Sequence, residues 1–301
     1  MASYKQQLDV PPIPNLALPP VVYSSQQQSQ NNNQIKVFFT KLVNSVSAMF
    51  GLRGGQYINS PYGAFQDSTD QSDGSTAVAY YMRLNTTDYS NGISVVSRSA
   101  SFTATISNGG GSAGTTLNVS AIASGSLYPS MEITGTGVSA GTRIVEQLTG
   151  ATGGVGTYKV SISQLVSSST SMTGDLPSKI TVSQQGIYNV QFSAQFKNTT
   201  NDSQNVDIWF RVNGTDVANS NSRFGLPARK SSGDPSHTIA AMNFFINMVE
   251  NDYVEIMWRV SDSGVALEQY PAVSASGTSP AIPATPSMIV TVSFVSNLST
   301  E

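Results

Sequence analysis

Cysteine is absent from the 301-residue chain, and histidine occurs once, at His237. The missing thiols exclude disulfide bonds, thiolate metal sites and thiolate catalysis. One imidazole cannot form a site that needs several histidine ligands, and it leaves a single residue for the commonest general base. We interpret His237 as a loop or strand-edge residue, and we predict no enzymatic activity, no catalytic residues, no cofactor and no bound metal.

Charge is also scarce. Asp, Glu, Lys and Arg make up 11% of the residues, and the net charge is −3. Nucleic-acid binding needs a basic surface that displaces counterions from phosphates, so we predict no such partner. Apolar runs stay far below the roughly 20 residues that cross a bilayer, so we predict no membrane insertion. The N-terminus lacks a signal-peptide pattern, which favours synthesis in the cytoplasm.

One acidic segment carries Asp67, Asp70 and Asp73-Gly74. Calcium loops of the EF-hand type place carboxylates at alternate positions and end in a bidentate Glu, whereas here the carboxylates are three apart and no such Glu follows. We interpret the segment as a solvated loop. A cation shared on a three-fold axis stays an open alternative.

The first 33 residues are rich in Pro, Gln, Ser and Asn. Segments 10–14 and 18–22 favour extended, polyproline-like backbone, and the run 24–34 is typical of a flexible polar spacer. A disordered tail is the alternative, although such tails are usually poor in apolar side chains. We predict that residues 1–33 form an extended arm that docks in a groove on another protein. Its expected contact residues are Val10, Pro11, Pro12, Ile13, Pro14, Leu16, Leu18, Val21, Val22 and Tyr23.

Residues 34–52 are predicted to form an amphipathic helix. Apolar side chains recur at three- and four-residue spacing, Asn33 can cap the start, and Gly51 ends the pattern. Because the apolar stripe is broad, it has to be buried. Self-association into a short three-helix bundle and docking on the β-domain are both consistent with the pattern. The stripe consists of Ile35, Phe38, Phe39, Leu42, Val43 and Val46.

The remaining chain switches to period two, which indicates strands with one apolar face. Several such runs, joined by polar turns that include Asn213-Gly214, predict an antiparallel β-sandwich. The expected inward residues are Val78, Tyr80, Met82, Leu84, Tyr188, Val190, Phe192, Ala194, Phe196, Val206, Ile208, Phe210, Val212, Ala240, Met242, Phe244, Ile246, Met248, Val254, Ile256, Trp258, Val260, Met288, Val290, Val292 and Phe294.

Between residues 101 and 174 the composition changes to Gly-rich turns with few aromatic residues and few charges. Strand-like cores are predicted at 117–122, 143–147 and 157–163. We interpret this stretch as a small β-module inserted into a loop of the sandwich, since loop tips tolerate inserted domains whose ends lie close together.

Several segments resemble a family of structural proteins of marine bacteriophages. They are 54–59 (GGQYIN), 84–88 (LNTTD), 90–94 (SNGIS), 186–195 (GIYNVQFSAQ), 208–214 (IWFRVNG) and 253–258 (YVEIMW). That family has a jelly roll similar to the C1q and tumour-necrosis-factor domains. The segments 114–117 (GTTL), 135–138 (GTGV), 140–142 (AGT) and 153–158 (GGVGTY) resemble a module of phage tail-fibre proteins.

The resemblance implies an all-β protein with a jelly-roll domain over 53–100 plus 175–301 and the inserted module over 101–174. It also implies a homotrimer located on the virion, a fibre or appendage whose arm 1–33 anchors it to another virion protein. We expect the trimer contact to include the helix stripe together with Tyr81, Trp209 and Arg211, which are predicted on the polar sides of their strands. Exposed aromatic residues often mark interfaces.

Other functions stay open at this point. The chain could be a capsid decoration or cement protein, or its distal loops could bind a glycan or protein on the host surface. A receptor-binding tip that degrades glycans is the enzymatic alternative, but it needs a pair of carboxylates at a suitable separation. Head, neck and tail of the particle are all consistent with the sequence as locations.

Overall fold

The computed structural model of the chain describes residues 13–16, 18, 21–50, 60–72 and 75–297. The arm residues Val10, Pro11 and Pro12, as well as Asp73, lie outside these ranges. Strands account for 56% of the residues and helix for 9%, so the predicted all-β sandwich is confirmed at the level of class. The chain divides into two compact units, residues 1–60 with 299–301 and residues 61–298.

The first unit contains helix α1, Ser25–Phe50. The prediction placed the helix start at residue 34 and a flexible spacer over 24–34, and it was wrong on both points. Ser24 is the cap: its Oγ accepts a hydrogen bond from the backbone N of Gln27 at 3.3 Å, and its carbonyl accepts one from Gln28 at 3.1 Å. A capping serine satisfies helix N–H groups that would otherwise be unpaired, so the polar run joins the helix.

The second unit consists of strands and their connections. In chain order these are β1 Tyr62–Asp67, β2 Gln71–Ser72, β3 Tyr80–Tyr81, β4 Thr86–Asn91, β5 Ile93–Ser107, β6 Gly114–Gly125, β7 Glu132–Gly135, β8 Ile144–Gln147, β9 Gly156–Gln164, β10 Val166–Val182, β11 Gly186–Asn198, β12 Gln204–Val212, β13 Thr215–Asp216, β14 Ser222–Leu226, β15 Ser236–Met248, β16 Tyr253–Val260, β17 Val265–Leu267 and β18 Met288–Ser296.

The strands form two antiparallel sheets. In the first sheet β15 pairs with β11, which is followed by β18, β1 and β4, while β17 and β2 continue beside the end of β11. The second sheet runs β12-β16-β10-β5-β6-β9-β8, with β13 and β14 on β12, β3 on β16 and β7 on β10. The predicted turn at Asn213-Gly214 is confirmed, because both residues have positive φ and join β12 to β13 in a two-residue hairpin.

The main hydrophobic core contains side chains from both sheets. Every inward residue predicted from the period-two pattern either belongs to this core or packs against it. Trp258 and Phe196 lie at its centre, with ring centroids 5.7 Å apart. The alternation of apolar and polar residues is therefore a reliable guide here, because each strand has one face against the core and one face away from it.

The segment 101–174 is built on two long strands of the second sheet. The 15-residue strand β5 and the 17-residue strand β10 pair along most of their length, and both cross the predicted limits of the segment without a break. Strands β6, β8 and β9 lie where the sequence predicted strands, and β7 is an addition. The segment thus continues a sheet of the sandwich, whereas we expected it to start from a loop tip.

A second hydrophobic core lies in this part of the protein. Phe102, Ile133 and Tyr158 from the segment are buried there together with Tyr81 and Met257 from the sandwich strands. Met257 lies on the side of β16 that faces away from the main core, because neighbouring residues of a strand point to opposite faces. The second core therefore covers part of the outer side of the second sheet.

Candidate functional site

The described residues of the predicted arm are largely exposed. Pro14 is half-buried, and the exposed residues are Ile13, Leu16, Leu18, Val21, Val22 and Tyr23. Apolar side chains exposed one after another are available to a partner. The role of these residues as an anchor stays a prediction.

Part of the arm runs back along helix α1. Ile13, Pro14 and Asn15 line a groove with residues on one face of the helix, among them Phe38. The backbone carbonyl of Leu18 accepts a hydrogen bond from Gln27 Nε2 at 2.6 Å. The long polar side chains at the start of the helix thus hold the extended segment.

The apolar stripe of the helix is only partly covered. Ile35, Phe38 and Leu42 are half-buried, whereas Phe39, Val43 and Val46 are 55%, 58% and 38% exposed. The latter three recur at four and three residues, so they lie on one side of the helix. A helix side of this kind is suited to a coiled-coil-like contact, and that contact stays a prediction.

Tyr81 differs from its prediction. We expected an exposed side chain at a subunit contact, but Tyr81 is 7% exposed and belongs to the second core. Its hydroxyl accepts a hydrogen bond from Arg211 Nη1 at 3.3 Å. Burial raises the pKa of Tyr81, and the nearby Arg98 opposes this. The side of β3 that the sequence assigned to solvent is covered by the segment 101–174.

Trp209 and Arg211 are half-buried neighbours of Tyr81 and share one acceptor. Asp216 Oδ1 accepts a hydrogen bond from Trp209 Nε1 at 2.8 Å and one from Arg211 Nε at 2.7 Å. The bond from Arg211 is the main reason why the pKa of Asp216 is lowered. The polar groups of all three predicted contact residues of the β-domain therefore already have partners within the chain.

Arg98 and Glu255 form a buried ion pair that the sequence did not reveal. Glu255 is fully buried, and its carboxylate receives two hydrogen bonds from Arg98 and one from Ser178 Oγ at 2.6 Å. The Arg98 guanidinium also lies 4.7 Å from the ring centroid of Tyr128. Burial alone lowers the pKa of Arg98, but the bonds and charge of Glu255 outweigh it and raise the pKa. The residue pattern along one strand cannot reveal such a pair, because its two members lie on different strands that are far apart in the sequence.

The outer face of the first sheet carries no charge over its central part. We call it the uncharged face and define it by the outward residues of three adjacent strands, where Ser193 lies between Ala241 and Ile289, and Gln191 lies between Asn243 and Thr291. Its members are Asn189, Gln191, Ser193, Gln195, Ile239, Ala241, Asn243, Phe245, Ile289, Thr291, Ser293 and Val295. Ile239 and Phe245 are 61% and 59% exposed.

The outer face of the second sheet is different, since it carries charges that are paired within the chain. Arg223 Nε lies 2.8 Å from Asp207 Oδ1 on neighbouring strands. The hydrogen bond from Arg223 is the main reason why the pKa of Asp207 is lowered. The contrast between the two outer faces could have been predicted from the sequence, because residues 180–196, 238–249 and 269–300 contain no Asp, Glu, Lys or Arg.

A polar cluster borders one end of the uncharged face. Glu268 accepts hydrogen bonds from Lys197 Nζ at 2.9 Å and from Tyr270 Oη at 2.6 Å, and His237 Nε2 lies 3.0 Å from it. Burial alone would raise the pKa of Glu268, but these bonds hold it below its usual value. His237 is on the edge strand β15, as a strand-edge interpretation requires.

The predicted solvated loop at 67–73 needs a correction. Asp67 is fully buried, and its Oδ1 accepts hydrogen bonds from the backbone N and Oγ1 of Thr69 at 2.8 and 2.6 Å. Arg83, also buried, lies 3.9 Å from Asp67, and burial lowers the pKa of Arg83 to about 10. Asp70 accepts a hydrogen bond from the backbone N of Gln269 at 2.9 Å. These carboxylates stabilise loops of the sandwich.

Neither a metal site nor a nucleophile elbow is evident in the described ranges. No group of three or more His, Asp or Glu side chains there is arranged to hold a metal ion. The stretches 110–114 and 137–141 match Gly-x-Ser-x-Gly, but both lie in bends and turns, whereas that motif needs a strand-to-helix turn.

Over the same ranges, no helix combines the length and the apolarity that crossing a bilayer requires. A scan against protein-family models and a search of curated proteins found no match to the chain.

Proposed function

We propose that the chain is a non-enzymatic structural protein of a bacteriophage particle, a homotrimeric fibre or appendage that its N-terminal arm attaches to another virion protein. Three features support the proposal: the sequence motifs that resemble phage structural proteins, the exposed apolar side chains among the described residues of the arm, and the uncharged face. The uncharged face carries the argument, since it is the feature that calls for self-association.

We further propose that the sandwich is a jelly roll of the C1q and tumour-necrosis-factor type. The strand order supports this, because β1-β18-β11-β15 in one sheet stands against β10-β16-β12-β14 in the other. The chain passes between the sheets from β10 to β11, β12, β15, β16 and β18. A jelly roll has eight strands in two sheets, and its two Greek keys make the chain alternate between the sheets in this way.

The chemistry of the uncharged face favours a second copy as its partner. Soluble surfaces usually carry about 25–35% charged residues, and the core of an interface is depleted in charge. Covering Ile239, Phe245, Ile289 and Val295 requires no ion to lose its water. Each Å² of apolar surface buried would contribute roughly 25 cal/mol, and a stable contact covers about 800 Å² on each partner.

Helix α1 would add a second contact between the copies. Phe39, Val43 and Val46 present an exposed apolar side with the spacing of coiled-coil positions. Three short helices that pack through such positions would hold the N-terminal ends of the copies together, and the arms would then emerge close to one another.

The oligomeric state tests the proposal. Native mass spectrometry of the purified chain should give three times the 31.8 kDa monomer mass. Gln191→Arg and Thr291→Arg, which place charge in the middle of the uncharged face, should dissociate the trimer. The matched control is Asn118→Arg on β6, an exposed position outside that face, which should leave the trimer intact. A monomeric wild-type chain would contradict the proposal.

Localisation tests the assignment to the virion. An antibody against the purified chain should label the surface of particles of a phage that encodes it, and electron microscopy would place the label on head, neck or tail. A label spread over the capsid would favour a decoration or cement protein. Absence of the chain from purified particles would refute a virion protein altogether.

A further inference from the structure

The connection between β17 and β18 is a projecting hairpin. Backbone hydrogen bonds run in both directions between Tyr270 and Thr285 and between Val273 and Ile282, and the tip closes between Ser276 and Ser279. We call residues 270–285 the clasp hairpin. All its residues from 270 to 284 are exposed, so its sides are not packed against the chain's own sheets.

The clasp hairpin has an unusual repeat. Its paired residues follow one another at intervals of three, at 270, 273 and 276 on one arm and at 279, 282 and 285 on the other. Three residues per turn is the period of polyproline backbone, and Pro271, Pro280 and Pro283 fit it. Val273 and Ile282 are paired and are 54% and 57% exposed. The hairpin therefore presents one pair of apolar side chains, Val273 and Ile282, on a backbone that the prolines make stiff.

An isolated two-stranded hairpin has marginal stability in water. In the clasp hairpin only the base is anchored. Tyr270 Oη donates a hydrogen bond to Glu268, and the backbone N of Gln269 donates one to Asp70. Prolines reduce the entropy that the hairpin would lose on docking. A hairpin of marginal stability that exposes a pair of apolar side chains and no charge is the kind of element that gains stability by binding a complementary surface.

We propose that the clasp hairpin of one copy docks on the uncharged face of a second copy. This inference rests on the proposed trimer. The hairpin leads directly into β18, whose Ile289, Thr291, Ser293 and Val295 belong to that face, so only a few residues of the chain separate the hairpin from the face. Neither surface carries a charge that would lose its water or need a counter-charge on the other.

The dimensions allow the contact. From Tyr270 to Ser276 the arm can reach about 20 Å at roughly 3.3 Å per residue. The three strands that form the uncharged face lie about 4.8 Å apart and together span roughly 10 Å. A hairpin of this length can cross all three strands of a neighbouring copy and place Val273 and Ile282 over them.

Cross-linking tests the contact directly, because the chain has no cysteine of its own. The Ile282→Cys variant is labelled at its thiol with a benzophenone maleimide. The labelled protein is mixed with an isotopically heavy wild-type chain before irradiation. We expect cross-links from the light chain to heavy peptides of β11, β15 or β18. Asn118→Cys, exposed on β6, is the matched control and should give no such cross-links between copies.

A shortened hairpin gives the quantitative test. Replacing residues 271–284 by Asn-Gly joins the paired residues Tyr270 and Thr285 through a two-residue turn and keeps the base. The variant should unfold cooperatively like the wild type, but its trimer should dissociate at a protein concentration at least tenfold higher.

The two proposals fail in different ways. If the wild type is a trimer, but cross-links form only within a copy and the shortened variant dissociates as the wild type does, the clasp is refuted and the trimer stands. With host-cell envelope added to the same mixture, cross-links from Ile282→Cys to an envelope component in place of a second copy would also refute the clasp. If the wild type is a monomer, both proposals are wrong.

Discussion

Arg98 on β5 and Glu255 on β16 are joined across the strand that separates them. Arg98 Nε lies 2.9 Å from Oε1 and Nη2 lies 2.7 Å from Oε2, while Ser178 on the intervening strand β10 donates to the same carboxylate. The pair lies where the second sheet passes from the sandwich into the segment 101–174. It connects the two parts of the second unit through side chains as well as through the shared strands.

Arg98→Ala should lower the free energy of unfolding by about 3–5 kcal/mol, because it leaves a buried carboxylate without its partner. Urea unfolding followed by tryptophan fluorescence measures this. The double variant Arg98→Met with Glu255→Leu removes both charges and should recover most of the loss. Lys159→Ala, which breaks an exposed ion pair with Glu146, is the control and should change the value by less than about 1 kcal/mol. A loss that small for Arg98→Ala would contradict the role of the pair.

Tyr81 tests whether the second core belongs to the single chain. Tyr81→Ala should cost about 3–5 kcal/mol, as loss of a buried aromatic side chain does. Tyr81→Phe, which loses only the hydrogen bond from Arg211, should cost about 1 kcal/mol. Chemical denaturation at several protein concentrations separates a core residue from a contact residue. A substitution in the core of the single chain lowers the free energy of unfolding by the same amount at every concentration. A cost for Tyr81→Ala that appears only where the chain associates would restore the original prediction of a subunit contact.

The cluster around Glu268 should make the free energy of unfolding depend on pH in the acidic range. The pKa of Glu268 is lower in the folded chain than its usual value of 4.5, so the unfolded chain binds its proton first as the pH falls. The stability that Glu268 contributes is then fully present above about pH 4.5 and is lost as the pH drops through the folded pKa. Glu268→Gln should reduce the unfolding free energy at pH 7 by about 1–2 kcal/mol.

The pH profile provides the control for that experiment. Between pH 6 and pH 3 the wild type should lose more stability than Glu268→Gln, because the variant has no proton to take up at this position. Parallel profiles for wild type and Glu268→Gln would show that the cluster does not couple folding to pH.

Much of the sandwich could be predicted from the sequence because its signals are local. Alternation identified the inward residues of β11, β12, β15, β16 and β18, since burial on one face of a strand repeats every second residue. Asn213-Gly214 identified a turn because its two residues are those that accept positive φ. Local chemistry decides both features, so no knowledge of distant contacts is needed.

Features that depend on distant contacts were missed. Tyr81 follows the polar phase of its strand, yet the segment 101–174 covers it, which alternation along one strand cannot reveal. Arg98 and Glu255 are 157 residues apart in the chain. The helix start was missed for another reason: a Gln- and Asn-rich run resembles a linker, but Ser24 caps the helix ahead of that run, so the run lies inside the helix.

The arm offers the most direct test of attachment to the virion. Deleting residues 1–23 removes the proline-rich segments and keeps Ser24 as the cap of helix α1. The truncated protein should therefore remain folded and trimeric, since neither the helix stripe nor the uncharged face is changed. In a phage that carries the deletion, the chain should accumulate in the lysate and be missing from purified particles, as measured by quantitative mass spectrometry.

The matched control for the deletion is Asn118→Arg, which alters an exposed position far along the chain and should be packaged normally. Incorporation of the arm-less chain at wild-type levels would show that the attachment site lies elsewhere. A chain that is missing from particles and also monomeric would instead show that the arm contributes to assembly, because the groove formed by Ile13, Pro14 and the helix then supports the helical contact. Mass and incorporation measured on the same preparation therefore separate anchoring from trimer formation.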